Sequence, residues 1–146
     1  MSEQEKQPSQ LRRLVLLIFL GGALGTGAEL LLARHTEDTV QWVPLILIGI
    51  SLAVIGWHAT DRRARSLRVL RGTMILFIIS GVTGMVLHCQ AKMEFKLESD
   101  PSLSGLPLFW EAMKSQTPPA LAPGMMVQLG LLGLAYTYRH PALRNS

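Results

Sequence analysis

Cysteine is nearly absent from this chain. Cys89 is the single thiol among 146 residues, so no internal disulfide and no Cys-x-x-Cys redox pair can form, and the thiol says little about compartment. Charge is scarce as well. Charged residues make up 16% of the sequence and apolar residues 49%, whereas soluble domains carry about a quarter charged residues. Aromatics are few, at 6%. None stands where a base could stack beside the arginine cluster, which argues against nucleic acid despite a net charge of +4. No Walker, zincin, nucleophile-elbow or dinucleotide fingerprint is present.

What the sequence does contain is long apolar runs edged by arginine. A membrane span needs about twenty mostly apolar residues. Four stretches meet or approach that length: 14–33, 40–58, 72–90 and 119–138. Trp42 and Trp57 stand near the two ends of the second, and Tyr136 and Tyr138 close the fourth, as interfacial aromatic belts do. Lipid offers no partner to a free backbone group, so spans of this kind fold as helices. The expected fold class is all-α: one polytopic domain with four transmembrane helices in a bundle.

Charge fixes the expected orientation. Lys6, Arg12 and Arg13 precede the first run; Arg62, Arg63, Arg65, Arg68 and Arg71 crowd around the second connection; Arg139 and Arg144 follow the fourth run. The other two connections dilute Arg34, Lys92, Lys96 and Lys114 with Glu37, Asp38, Glu94, Glu98, Asp100 and Glu111. Every arginine-rich segment thus falls on one side of a four-span topology, which places both termini in the cytoplasm of a bacterial-type inner membrane. A rival reading makes the first run a signal peptide cleaved near Thr26-Gly27-Ala28. Apolar sequence resumes at residues 30–33 and completes a full span, which favours retention.

Small residues mark candidate packing faces. Gly21 and Gly25 are spaced as small-xxx-small, as are Ala23 and Gly27, and Ser80 and Gly84. Such spacing lets helix backbones approach closely, inside a bundle or across a homodimer seam. Gly25 is therefore expected to tolerate a large side chain less well than Gly105, which the sequence places in a loop. Runs one and three also align without gaps: Arg12 with Arg71, Leu17 with Leu76, Gly22 with Gly81, Gly25 with Gly84, and Glu29 with His88. A duplicated hairpin and chance both produce such a match.

Ionisable groups inside a span are costly, and Glu29, His88 and Gln128 are the candidate functional polar residues. Glu29 and His88 lie at nearly equal depth below the outer interface. They could meet, as a structural hydrogen bond, a proton-transfer pair or half of a metal site. His35, Glu37, Asp38 and Glu94 share that side, but their spacing matches no metal-ligand pattern. His58 and His140 fall at the inner ends and look interfacial. With His88 the only fair intramembrane histidine, haem is not expected. No catalytic residue, metal site or cofactor is assigned.

The outer segment 91–118 opens on alternation, with Met93, Phe95 and Leu97 between charges, which reads as extended chain. Leu106, Phe109, Trp110 and Met113 then recur at helical spacing and suggest a short amphipathic helix in the interface, serving as a cap, a lid or a docking surface for other membrane proteins. Pro123-Gly124 is expected to kink or break the fourth helix near its start. Three functions compete: a structural or accessory membrane component, a small transporter or channel subunit using Glu29, His88 and Gln128, and a membrane redox or metal-dependent enzyme.

Overall fold

The computed structural model describes residues 3–33, 38–114 and 121–144, with side chains from residue 9 to residue 143 within them. Arg34, His35, Glu37, Thr117, Pro118 and Pro119 lie outside the described residues. Every regular element among the described residues is helical: α1 (Glu3–Leu32), a 3₁₀ turn (Thr39–Gln41), α2 (Trp42–Asp61), α3 (Ala64–Ser99), α4 (Gly105–Met113), α5 (Leu121–Thr137) and α6 (Pro141–Arg144). Three segments are long and apolar enough to cross a membrane: Ser9–Leu32, Thr39–Asp61 and Ala64–Ser99. α5 is apolar and, at 17 residues, sits at the lower limit for a span. α1 runs without interruption through Thr26-Gly27-Ala28.

The helix starts follow one rule. Pro44, Pro107 and Pro123 each occupy the third position of α2, α4 and α5. In that first turn the missing N–H has no intrahelical acceptor to lose. The expected break at Pro123-Gly124 is therefore not found, because α5 begins only two residues earlier and absorbs the proline in its first turn. Two helices end on arginines in the left-handed region, Arg62 after α2 at φ 51° and Arg139 after α5 at φ 47°. Arg62 N–H closes α2 by donating to the His58 carbonyl at 2.9 Å.

α3 is longer than its apolar run. It has 36 residues, about 54 Å at 1.5 Å per residue, and continues through the stretch expected to be extended. Residues 91–99 are Ala, Lys, Met, Glu, Phe, Lys, Leu, Glu and Ser. Most are strong helix formers, with no glycine, proline or β-branched residue to end the turn. Local propensity and a helix already running outweigh the alternating pattern.

The core forms where α1, α2, α3 and α5 converge. Phe19, Ala23, Leu47, Ile48, Val54, Leu67, Leu70, Met74, Phe77, Met126 and Leu129 are its buried residues, and the Phe19 and Phe77 rings meet at a centroid distance of 6.2 Å. The tightest seam joins α3 to α5. A Cβ on Gly81 would stand 2.7 Å from the Pro123 carbonyl oxygen and 2.9 Å from the Val127 nitrogen; one on Gly130 would stand 2.8 Å from the Met74 carbonyl oxygen. Gly84 faces Pro123, and Gly133 faces the Met74 side chain. Each helix thus gives up side chains where the backbone of the other passes, as close approach of two helix backbones requires. No buried side-chain nitrogen or oxygen among the described residues lacks a hydrogen-bond partner. Ser51, Thr73 and Thr137 bond back to the carbonyls of Ile48, Val69 and Leu134.

Candidate functional site

The three polar residues singled out from the sequence do not converge. Glu29 is exposed on α1, and Gln128 is exposed on α5. His88 is half-buried and lines a cleft of about 860 Å³ to which neither of the others contributes. Ser80 and Gly84 line that cleft, as do Thr26 and Leu30 of α1, which flank Glu29 in sequence. Asp38 stands at the same cleft, whereas Glu94 faces outward. Cys89 is half-buried beside Met93, its Sγ 3.9 Å from the Met93 sulfur. No group of three His, Cys, Asp or Glu side chains among the described residues could hold a metal ion.

The candidate packing glycines divide as sharply. Gly84 packs on Pro123. Around Gly21 and Gly25, by contrast, an added Cβ would meet nothing within 4 Å. The intrachain contacts of α1 run through their neighbours instead: Gly22 against Leu129, Gly27 against Ile48, and Ala23, which is fully buried. The expected order of Gly25 and Gly105 is reversed for the same reason. Gly105 adopts φ +57° at the start of α4, where L side chains are strained, while Gly25 has open space around it.

A second cluster lies at the opposite, arginine-rich end, and the sequence reading passed over it. His58 and His140 come together there, with ring centroids 5.4 Å apart and the planes at 79°. Tyr136 packs on His140 at 5.6 Å. His58 Nδ1 lies 2.8 Å from Ser66 Oγ, and Ser66 Oγ donates to the Arg63 carbonyl at 2.9 Å. With its own proton committed, the Ser66 hydroxyl accepts from His58 Nδ1–H, which sets that tautomer. His140 Nδ1 accepts from the Ala142 N–H at 3.3 Å, so its proton sits on Nε2. Burial pushes the His140 pKa down to about 4, with the Arg12 guanidinium and His58 adding to the shift. The cluster joins the ends of α2, α3 and α5. No protein family, curated protein or solved structure matches this chain.

The two ends therefore offer different chemistry. The histidine cluster is filled and hydrogen-bonded, and works as a clamp. The cleft is space, with apolar walls from Leu47, Leu76, Ile79, Leu87 and Met126 and hydroxyls from Thr26, Ser80 and Thr83. The signal that would have found the cluster was present in the sequence: His58 and His140 both fall at the arginine-rich ends of their helices. Elsewhere, Asp100 accepts from the Ser102 N–H at 3.0 Å and from its hydroxyl at 2.6 Å, which closes the turn after α3 and holds the carboxyl below its ordinary range.

Proposed function

We propose that this chain is a four-span inner-membrane protein, both termini cytoplasmic, that serves as a structural or accessory component of a larger membrane assembly. The observation that carries this reading is dispersal. Glu29 and Gln128 face outward and only His88 reaches a cleft, whereas a transporter path or a catalytic centre needs its polar groups to converge. α5 is also continuous through Pro123, which removes the broken helix on which the transporter reading rested.

Two surfaces support the accessory role. The outward face of α1 combines Gly21 and Gly25 with exposed Leu17, Ile18 and Leu24, a surface that suits a neighbouring helix. α4 turns Leu108 and Ala112 inward and leaves Leu106, Phe109 and Trp110 exposed, so the apolar stripe expected to cap the bundle points away from it. That stripe suits the membrane interface or a partner protein at segment 91–118.

Topology is tested first, with reporters at both termini and at positions 38, 65 and 104. Both termini and position 65 are expected to report cytoplasm, and 38 and 104 the outside; opposite results at 38 and 104 sink the four-span topology. Partnership is tested by cross-linking in native membranes from Gly25→Cys in a Cys89→Ser background. A discrete adduct with another membrane protein is the expected result, and its absence removes the accessory reading.

A further inference from the structure

The cleft beside His88 has an order from top to bottom. At its outer rim stand Asp38, Thr39, Gln41 and His88; Thr26 and Thr83 lie at middle depth; Leu47, Leu76 and Met126 form its floor. Along α3 its lining runs from Leu76 to Ala91, about 22 Å at 1.5 Å per residue. That depth equals one leaflet, since a bilayer with its headgroups is about 40–45 Å thick. Asp38, Gln41 and His88 stand where headgroups lie, and the lining below them is mostly apolar, with the hydroxyls of Thr26, Ser80 and Thr83 set in its walls.

The cleft offers about 860 Å³, within the range of about 300–1,000 Å³ typical of small-molecule sites. A single extended acyl chain matches its length and its mostly apolar walls. Charge narrows the head: the Asp38 carboxylate at the rim attracts an ammonium group and repels an anionic one.

We propose that this cleft is a binding site for an outer-leaflet phospholipid with an ethanolamine head, one acyl chain lying between α2, α3 and α5 and the head at Asp38 and His88. The proposal rests on the membrane placement given above. The bound chain fills space that the helices leave between them, and its head joins the 3₁₀ turn to the outer part of α3. Ser80 and Thr83 bring hydroxyls to the cleft wall, so bulk placed at either position excludes the chain.

The test uses the full-length protein in lipid nanodiscs of phosphatidylethanolamine and phosphatidylglycerol, with a trace of either lipid carrying a photoactivatable diazirine in its acyl chain. With the ethanolamine-headed probe, adducts are expected to concentrate on residues 76–91 and 121–126, above the level on the outward residues 14–18. Ser80→Trp is expected to cut adduct yield at the cleft at least fivefold and leave labelling of 14–18 unchanged. Leu87→Trp at the rim serves if Ser80→Trp does not fold, and the same loss is expected there. Even labelling of all outward surfaces, yields unchanged by the tryptophan, or equal yields from the glycerol-headed probe would each overturn the assignment. Failure of the membrane placement shows separately, as release of the chain from membranes by alkaline carbonate.

Discussion

α1 and α3 invite comparison because their sequences align without a gap and both run from the arginine-rich end outward. They were built from similar parts and are used differently. α3 sets Gly81 and Gly84 against α5 and receives Gly130 and Gly133 in return. α1 carries Gly22 and Gly25 at the matching positions, yet only Gly22 meets α5, through the end of the Leu129 side chain. Within the apolar window, 28% of α3 is buried and only 17% of α1. Spacing says that a helix has a small-residue face; it does not say where that face points. A neighbour with its own glycines at the right height is what turns spacing into a seam.

The seam itself is where the comparison breaks most visibly. Gly130→Leu drives a side chain into the Met74 carbonyl and the Ile78 nitrogen, 2.8 and 3.2 Å from the Cβ position. Backbone cannot swing aside as a side-chain tip can. A loss of about 3 kcal/mol is expected, read as a lower midpoint in denaturant titration of the detergent-solubilised protein. Gly22→Ala, whose Cβ meets only Leu129 Cδ2 and Cγ, is expected to lose about 1 kcal/mol. Equal losses at the two sites would mean that α1 packs as tightly as α3.

This contrast also shows what was legible. The three long apolar helices and the gathering of arginine-bearing helix ends follow from composition and charge alone, because lipid permits few backbone solutions. Residues 91–99 were misread because alternation of polar and apolar side chains competes with helix propensity, and a helix already nucleated continues at little cost. The candidate polar residues are less legible for a different reason. Glu29 and His88 match in depth, but depth is one coordinate, and rotation about the helix axis decides which side chains meet. Nothing within a single apolar run fixes that rotation when nearly every position is apolar.

At the arginine-rich end the aligned residues Arg12 and Arg71 separate again. Arg12 acts on His140, while Arg71 is exposed. His140 folds with its pKa held at about 4, against an ordinary 6.5, so the unfolded chain binds the extra proton first. Stability is therefore complete above pH 6.5 and is lost as pH falls toward 4. Because the ring is partly accessible, screening reduces the effect to about 1 kcal/mol. His140→Gln is expected to remove that share of the acid sensitivity, and Arg12→Gln to shrink it by raising the His140 pKa. Melting curves between pH 7 and 4.5 give the reading. Identical slopes for wild type and His140→Gln would show that the ring is solvated and the clamp is open.

A smaller effect belongs to the glycine of the outer segment. Gly105 holds φ +57° where α4 begins, a conformation that costs an L residue about 1–2 kcal/mol. Gly105→Ala is expected to lose about 1 kcal/mol, with the damage confined to α4. Protease cleavage near Phe109 and Trp110 should rise while the bundle's melting midpoint moves little. If the midpoint drops as far as it does for Gly130→Leu, α4 is part of the core and not an appended element.

The smallest expected effect on the fold is at Gly25, and it sharpens the comparison most. A Cβ there meets nothing within 4 Å, so Gly25→Leu should shift stability by less than about 0.5 kcal/mol, the usual range for a surface site. Its aligned partner, Gly84, already has Pro123 Cβ at 3.1 Å, and Gly84→Leu should cost clearly more. Helix propensity alone disfavours a glycine there, since glycine inside a helix is about 1 kcal/mol worse than alanine. Such residues persist on an outward face when something else needs them small. If the outward face of α1 receives another helix, Gly25→Leu leaves the isolated chain stable and abolishes the adduct formed in native membranes from Gly21→Cys, one turn away on the same face, in the Cys89→Ser background, because a leucine holds the two backbones apart. The same variant then separates two meanings of one spacing: a seam inside the chain, which stability reads, and a seam with a neighbour, which only association reads. Unchanged stability together with an unchanged adduct would leave α1 a lipid-facing helix and remove its face as the point of contact.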